Sequence, residues 1–322
     1  MKLSMFSVLA ALVLAISASG DAAAATKRNT GTSKKPVKAV KVGKNIKPVA
    51  LHSSRARTVA KLAKEDDSGS LAVRSSAFLV QDQTTGAVLM EKNAGVVQPI
   101  ASITKLMTAM VTLDAKLGLD ETLTVTDDDV DTLKGTHSRL RVGTQLTREE
   151  MLRLALMSSE NRAASALARN YPGGRPAFVK AMNSKAETLG LKDTRFEDST
   201  GLTSANVSSP RELAKMVDAA HQYPLIREYS TTPNGEFDIS GRAMQFNNTN
   251  SLVKNPSWEI GLSKTGYINE AGKCLVMQAW LNDKPIIIVL LDSWGKMTRI
   301  ADANRIKRLI EHVGLTRRSL TG

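Results

Sequence analysis

The order of periodic segments restricts the fold of this chain more than any other feature. Two short alternating runs, residues 77–81 and 87–91, flank Thr84-Thr85-Gly86 and read as a β-hairpin. Helical periodicity follows over residues 102–117, 147–157, 161–170, 175–189 and 210–222, and Thr147-Arg-Glu-Glu150 is a capping box at the second of these. Strand-like runs return at 259–265, 274–281 and 285–291, and a last helix is expected over about 297–313. Strands at both ends with helices between them require one sheet assembled from both ends of the chain. Short turns between neighbours make that sheet antiparallel, so the fold class is α+β rather than doubly wound.

Composition excludes several alternatives. Of 322 residues, 42% are hydrophobic and 23% charged, which rules out collagen-like, wholly disordered and polytopic membrane classes. The net charge of +13 is concentrated in one place: twelve Lys/Arg and no acid lie between Lys27 and Lys64, leaving +1 for residues 65–322. Nucleic-acid binding by the folded part therefore has no support. Lys2, an apolar run from Met5 to Ile16 and Ala23-Ala24-Ala25 form a secretory signal peptide over residues 1–25. The mature chain is expected to start near Thr26, outside the cytoplasm. No stretch reaches the roughly 18 apolar residues of a membrane-spanning helix.

Residues 26–69 read as a basic, disordered arm, because their composition cannot bury enough apolar surface. Within it Lys35, Lys38, Lys41, Lys44 and Lys47 recur at every third position and would line one edge of a polyproline II helix. Such an edge suits an anionic envelope polymer or lipid surface, whereas the bland alternative is a self-repelling linker. A single domain is expected over 70–316, with a tail at 317–322 and no further domain or amphipathic anchor after residue 313. Cys274, the single cysteine, lies in an alternating apolar segment and reads as a buried strand thiol. The four histidines lack metal spacing, and HExxH, CxxC, GxGxxG and GxSxG are absent. Neither a metal nor a cofactor is expected.

Three motifs carry chemistry. Ser102-Ile-Thr-Lys105 opens the first long helix, where residues three apart share a face with Cβ atoms ~5–6 Å apart. A lysine made neutral by burial or a neighbouring cation could take the serine proton. Ser159-Glu-Asn161 falls at a junction between helices, where a hydroxyl can relay a proton and an amide can hold a peptide group. Lys264-Thr265-Gly266 ends a predicted strand and could hold a carboxylate. Taken singly, each also fits an ordinary cap, turn or blunted sheet edge.

In this order, S-x-x-K, S-x-N and K-T-G are the motif set of penicillin-binding proteins and serine β-lactamases. Over residues 70–313 the chain resembles the low-molecular-mass penicillin-binding proteins, the serine D-Ala-D-Ala peptidases. Pro99–Met107, Asp198-Ser-Thr-Gly-Leu202 and Lys264–Gly272 carry the resemblance further. Leu133-Lys-Gly-Thr-His-Ser-Arg-Leu140 and Met157–Ser165 are similar to the endopeptidases of that family. Glu160 stands where relatives often have Asp.

The resemblance implies a β-lactamase/transpeptidase-like fold, an antiparallel sheet flanked by helices, with an all-helical subdomain and the active site between them. It implies Ser102 as nucleophile, Lys105 as general base and Ser159 as proton relay. Asn161 would bind the substrate backbone, and the N–H groups of Ser102 and Tyr267 would form an oxyanion hole. Lys264, Thr265 and Gly266, helped by Arg299, would receive the carboxylate on the leaving side. The implied partners are peptidoglycan stem peptides in the periplasm, with β-lactams as covalent inhibitors. Endopeptidase action is expected, with D-Ala-D-Ala carboxypeptidase as the alternative and a non-catalytic wall-binding scaffold as the reading from another class. A class A β-lactamase would need a deacylating glutamate, for which Glu197 is the candidate without the expected asparagine spacing.

Overall fold

Both ends of the folded region meet in one five-stranded antiparallel sheet. Its strands are β1 (Ser75–Asp82), β2 (Val88–Lys92), β3 (Glu259–Ile268), β4 (Gly272–Leu281) and β5 (Lys284–Ser293), ordered β2-β1-β5-β4-β3. The first strand pairs with the last, placing Leu79 opposite Val289 and Ala77 opposite Leu291. This is a computed structural model, and it describes residues 73–295 and 297–320, with side chains as far as residue 312. The expected signal peptide and the basic arm with Lys35, Lys38, Lys41, Lys44 and Lys47 lie outside the described residues.

Alternation along the central strands buries both faces of the sheet. Ala77, Leu79, Val276, Val289 and Leu291 join one core cluster, while Phe78, Val80, Leu275, Met277, Ile288 and Leu290 join the other. The helices are α1 (Thr104–Asp114), α2 (Arg148–Met157), α3 (Asn161–Arg169), α4 (Gly174–Thr188), α5 (Pro210–His221), α6 (Pro224–Thr231) and α7 (Thr298–Leu320). α7 covers the second face through Ala303 and Ile306. Its buried Asp302 accepts the backbone N–H of Ser75 at 2.8 Å and so ties the helix to the start of β1. Thr104 to Thr112 of α1 are all buried, as a helix at the centre of a helical layer must be. Among the described residues no helix is long and apolar enough to cross a membrane.

The predicted capping box is present: Thr147 accepts from the Glu150 N–H, and α2 begins one residue later. Four features differ from expectation. β3 continues past Thr265 to Ile268 because Tyr267 and Ile268 still pair with Lys273 and Gly272. The Lys264-Thr265-Gly266 motif thus lies inside a strand, not at its end. α6 and the ribbon formed by Asn234–Asp238 with Ala243–Asn247 were not anticipated, although Pro224 at the first turn of α6 is a start signal. The last helix runs to Leu320 rather than stopping near 313.

Candidate active site

Ser102 sits in a 3-10 turn, Ala101–Ile103, that runs directly into α1. Continuity of the turn with the helix puts Ser102 and Lys105 on one face, and Lys105 Nζ lies 2.8 Å from Ser102 Oγ. The same nitrogen stands 2.7 Å from both Asn161 Oδ1 and the Thr200 carbonyl oxygen. Lys105 is fully buried, and burial lowers its pKa to about 7 against the opposing charges of Asp198 and Glu160. As an ammonium it donates to all three oxygens. As an amine it has two N–H groups for the carbonyl oxygens and one lone pair left for the serine proton.

Two glycines let neighbouring segments close on this turn. A Cβ on Gly266 would stand 2.9 Å from the Ile100 carbonyl oxygen and 3.1 Å from Ser102 N. One on Gly201, whose φ is 80°, would overlap the Ala101 carbonyl. Ala101 itself has a φ of 48°, a left-handed conformation that costs a non-glycine residue of order 1 kcal/mol or more.

Between α2 and α3, Ser159 also adopts a positive φ, 60°. This turn brings its Oγ to accept from Lys264 Nζ at 2.9 Å. Lys264, 1% exposed, donates as well to the Thr265 carbonyl at 2.9 Å. Burial, then the charges of Lys105 and Arg299, hold its pKa well below that of an ordinary lysine. Asn161, opening α3, uses its Nδ2 to donate to Thr136 Oγ1 at 3.1 Å. Glu160 accepts from Ser138 Oγ at 2.7 Å and pairs with Arg139 at 3.6 Å, so the middle of the second motif anchors the 131–140 loop.

β3, an edge strand, forms the opposite wall. Thr265 Oγ1 is 2.6 Å from Thr249 Oγ1, and Tyr267 is half exposed. Arg299, in the first turn of α7, donates through Nη1 to the carbonyls of Gly266 and Cys274, each at 3.2 Å. Its Nε is buried and has no hydrogen-bond partner among the described residues. An open cavity of 430 Å³ joins Ser102, Ser159, Asn161, Thr265, Gly266, Tyr267 and Arg299, with Lys105 and Lys264 buried behind them. Ser102, Lys105, Ser159, Asn161, Lys264, Thr265, Gly266, Tyr267 and Arg299 therefore converge on one place.

Some members of the site were not foreseen. Thr249 lines the cavity but carries no signal in the sequence. Asp198 shapes the loop that presents the Thr200 carbonyl, accepting from Gly201 N at 2.7 Å and from Asn206 Nδ2 at 2.8 Å. The Asp-Ser-Thr-Gly pattern, typical of an Asx turn, was its available signal. Glu197 instead pairs with Arg195 at 2.7 Å at the surface, so the deacylating-glutamate reading finds no support. Cys274 is buried, with its thiol pushed up to about 11 by burial, and stays protonated near neutral pH.

A serine contacted by a buried lysine of lowered pKa, a second lysine on a second serine, and an arginine lining the same cavity suit nucleophilic acyl transfer to an anionic substrate. A family model described as peptidase S11, D-alanyl-D-alanine carboxypeptidase, matches residues 56–295. A D-alanyl-D-alanine endopeptidase of Pseudomonas aeruginosa is 53% identical over 239 residues, 74% of this chain and 77% of the relative. One from Escherichia coli K12 is 47% identical over 257 residues, 79% of this chain and 83% of the relative. The Streptomyces K15 DD-transpeptidase superposes with a TM-score of 0.68 at 30% identity, covering 74% of this chain and 98% of that one. Penicillin-binding protein D2 of Listeria monocytogenes, in its ampicillin-bound form, gives 0.66 at 26% identity, covering 76% and 99%.

Proposed function

Since this chain belongs to the D-alanyl-D-alanine carboxypeptidase family of serine peptidases, we propose that it is a periplasmic DD-endopeptidase that opens D-Ala-diaminopimelate cross-links of peptidoglycan. The observation that carries the chemistry is the 2.8 Å contact between Ser102 Oγ and a buried Lys105 whose pKa lies near 7. Lys105, as the amine, takes the hydroxyl proton while Ser102 Oγ bonds to the D-Ala carbonyl carbon and the carbonyl electron pair moves onto oxygen. The N–H groups of Ser102 and Tyr267 hold that oxyanion. Collapse breaks the C–N bond, and the leaving amine receives its proton through Ser159. One water then cleaves the ester, releasing the D-Ala carboxylate and restoring Ser102 and Lys105. Asn161 holds the substrate backbone, and Lys264, Thr265 and Arg299 receive the carboxylate beside the scissile amide. Gly266 lets that chain approach the strand.

The endopeptidase name of the two relatives above supports cross-links as the substrate. The catalytic set serves a terminal D-Ala-D-Ala equally well, so a carboxypeptidase is the second reading. The deciding experiment gives purified mature protein a mixture of cross-linked muropeptide dimer and monomeric pentapeptide, with products resolved by mass. Conversion of dimer to monomers, absent in Ser102→Ala, is the expected result. Loss of D-Ala from pentapeptide with the dimer intact would make the protein a carboxypeptidase. A Ser102→Ala protein that still complemented a deletion strain would favour a wall-binding scaffold. β-Lactams should acylate Ser102. The periplasmic placement rests on residues 1–25, and the lysine series from Lys35 to Lys47 fits contact with an anionic envelope surface. Deleting residues 26–64 should then release the protein from envelope material at low salt.

A further inference from the structure

Lys134 and Glu270 join the two walls of the cleft. Lys134 belongs to a loop organised by Asp131, whose carboxylate accepts the backbone N–H of Leu133, Lys134 and Thr136 at 2.8, 3.0 and 2.8 Å. Thr136 in turn meets Asn161 Nδ2, so this loop is fixed to the Asn161 wall. Glu270 lies in the β3–β4 turn, three residues beyond Tyr267, where Tyr267 Oη donates to Asn269 Oδ1 at 2.9 Å. Lys134 Nζ and Glu270 Oε1 are 2.5 Å apart, and their side chains remain 29% and 43% exposed.

The position of this pair has a direction relative to the reaction. Under the stem-peptide reading above, on which this inference rests, Lys264, Thr265 and Arg299 fix the leaving side of the scissile bond. Asn161 and Tyr267 flank the acyl side, and the ion pair lies beyond them. A stem peptide that preceded the scissile D-Ala and followed β3 from Lys264 past Tyr267 would therefore meet Lys134 and Glu270 next.

We propose that Lys134 and Glu270 are a specificity subsite for the residue preceding the scissile D-Ala, and that they select a side chain ending in both a carboxylate and an ammonium. Diaminopimelate of the donor stem carries such an end. Exposed ion pairs are weak, so a ligand displaces this one at little cost. A zwitterionic end replaces the internal pair with two new ones, carboxylate to Lys134 and ammonium to Glu270. A side chain with an ammonium alone, such as lysine, leaves Lys134 without a partner. A neutral side chain leaves the pair closed across its path.

The test measures kcat/KM of the mature protein on two pentapeptides that end in D-Ala-D-Ala and differ only in carrying diaminopimelate or lysine before that dipeptide. The matching cross-linked dimers are run alongside. Wild type should favour diaminopimelate by about tenfold or more, mostly through KM, the scale of one charge-assisted contact. Lys134→Gln and Glu270→Gln should each reduce that ratio. The exchange Lys134→Glu with Glu270→Lys restores the ion pair but presents each ligand charge with its like, so it should not restore the preference. Recovery of the preference in the exchange variant would mark the pair as a purely structural strap and overturn the proposal. So would a wild-type ratio near one, or a ratio unchanged in the single variants. If monomers are cleaved and dimers are not, the endopeptidase reading fails while the donor preference is still measured on monomers. Cleavage of neither substrate would sink both.

Discussion

Gly201 packs against Ala101 so closely that a single methyl group on Gly201 would overlap the Ala101 carbonyl. The contact holds the Asp198–Leu202 loop on the nucleophile turn, and the Thr200 carbonyl depends on it to reach Lys105. Gly201→Ala meets both this backbone clash and a φ of 80°. We expect it to lower penicillin acylation at least tenfold and to reduce Tm by several degrees, the effect of about 1–2 kcal/mol or more. Stopped-flow acylation and thermal melting measure the two. Wild-type values in both would mean the loop is not held by this contact.

Lys105 makes the acylation rate depend on pH. Its pKa of about 7 predicts that the second-order rate of penicillin acylation climbs as pH rises from about 6 to 8 and then levels off. Lys105→Arg should lose acylation by a factor of 10² or more, because guanidinium retains its proton across this range. The same group affects stability. Between about pH 7 and 10.5 the unfolded chain binds the proton that folded Lys105 has released, so Lys105 contributes a rise in stability with pH there. Urea midpoints for wild type and Lys105→Met across that window should diverge accordingly.

The site was legible where side-chain spacing alone determines it. Ser102 and Lys105 three apart on a helix must meet, and the Lys264 motif required only a strand to present it. What stayed hidden depends on backbone or on distant pairing. The Thr200 carbonyl is a main-chain atom that any residue would supply. Ser159 adopts a positive φ without glycine or asparagine to announce it. Thr249 reaches Thr265 only because the ribbon after α6 folds back, and Lys134 finds Glu270 across 136 positions. The fold was readable for a similar reason: alternating strands at both chain ends admit one sheet, whereas α6 and the extension of α7 carry no comparable pattern.

Asp129 makes part of the helical body acid-sensitive. Its side chain is fully buried and pairs with Arg169 at 2.8 Å and Arg175 at 3.0 Å. Burial pushes its pKa up, but hydrogen bonds from Arg169, Thr126 and Ser165 and the Arg169 charge outweigh this and leave it below the ordinary value of 3.8. A lowered carboxylate pKa stabilises the fold above the unfolded value, near 3.9, and that contribution fades as pH falls through the folded pKa. Asp129→Asn should cost about 3 kcal/mol at pH 7, because two arginines lose their partner. It should also flatten the wild-type decline in urea midpoint below about pH 4. An equally steep decline in the variant would assign the acid sensitivity to other groups.

Arg299 is the assignment that its position in the sequence supports least and its surroundings support most. One nitrogen holds the Gly266 and Cys274 carbonyls while Nε, buried in the cavity wall, is unpaired among the described residues. A buried donor without a partner costs of order 1–3 kcal/mol, and Arg299 also lines the cavity, where its guanidinium charge would attract a substrate carboxylate. Arg299→Gln should therefore raise KM for a D-Ala-D-Ala peptide about 10- to 100-fold, with less effect on kcat. Arg299→Lys keeps the charge without the planar fork and should fall between the two. The readout that separates recognition from scaffolding is a substrate whose terminal carboxylate is amidated. Wild type should lose at least as much on that substrate as Arg299→Gln loses on the acid, because Lys264 and Thr265 hold the same carboxylate, and the two losses should not add. Additive losses would show that Arg299 acts by supporting β3 and not by contacting the carboxylate.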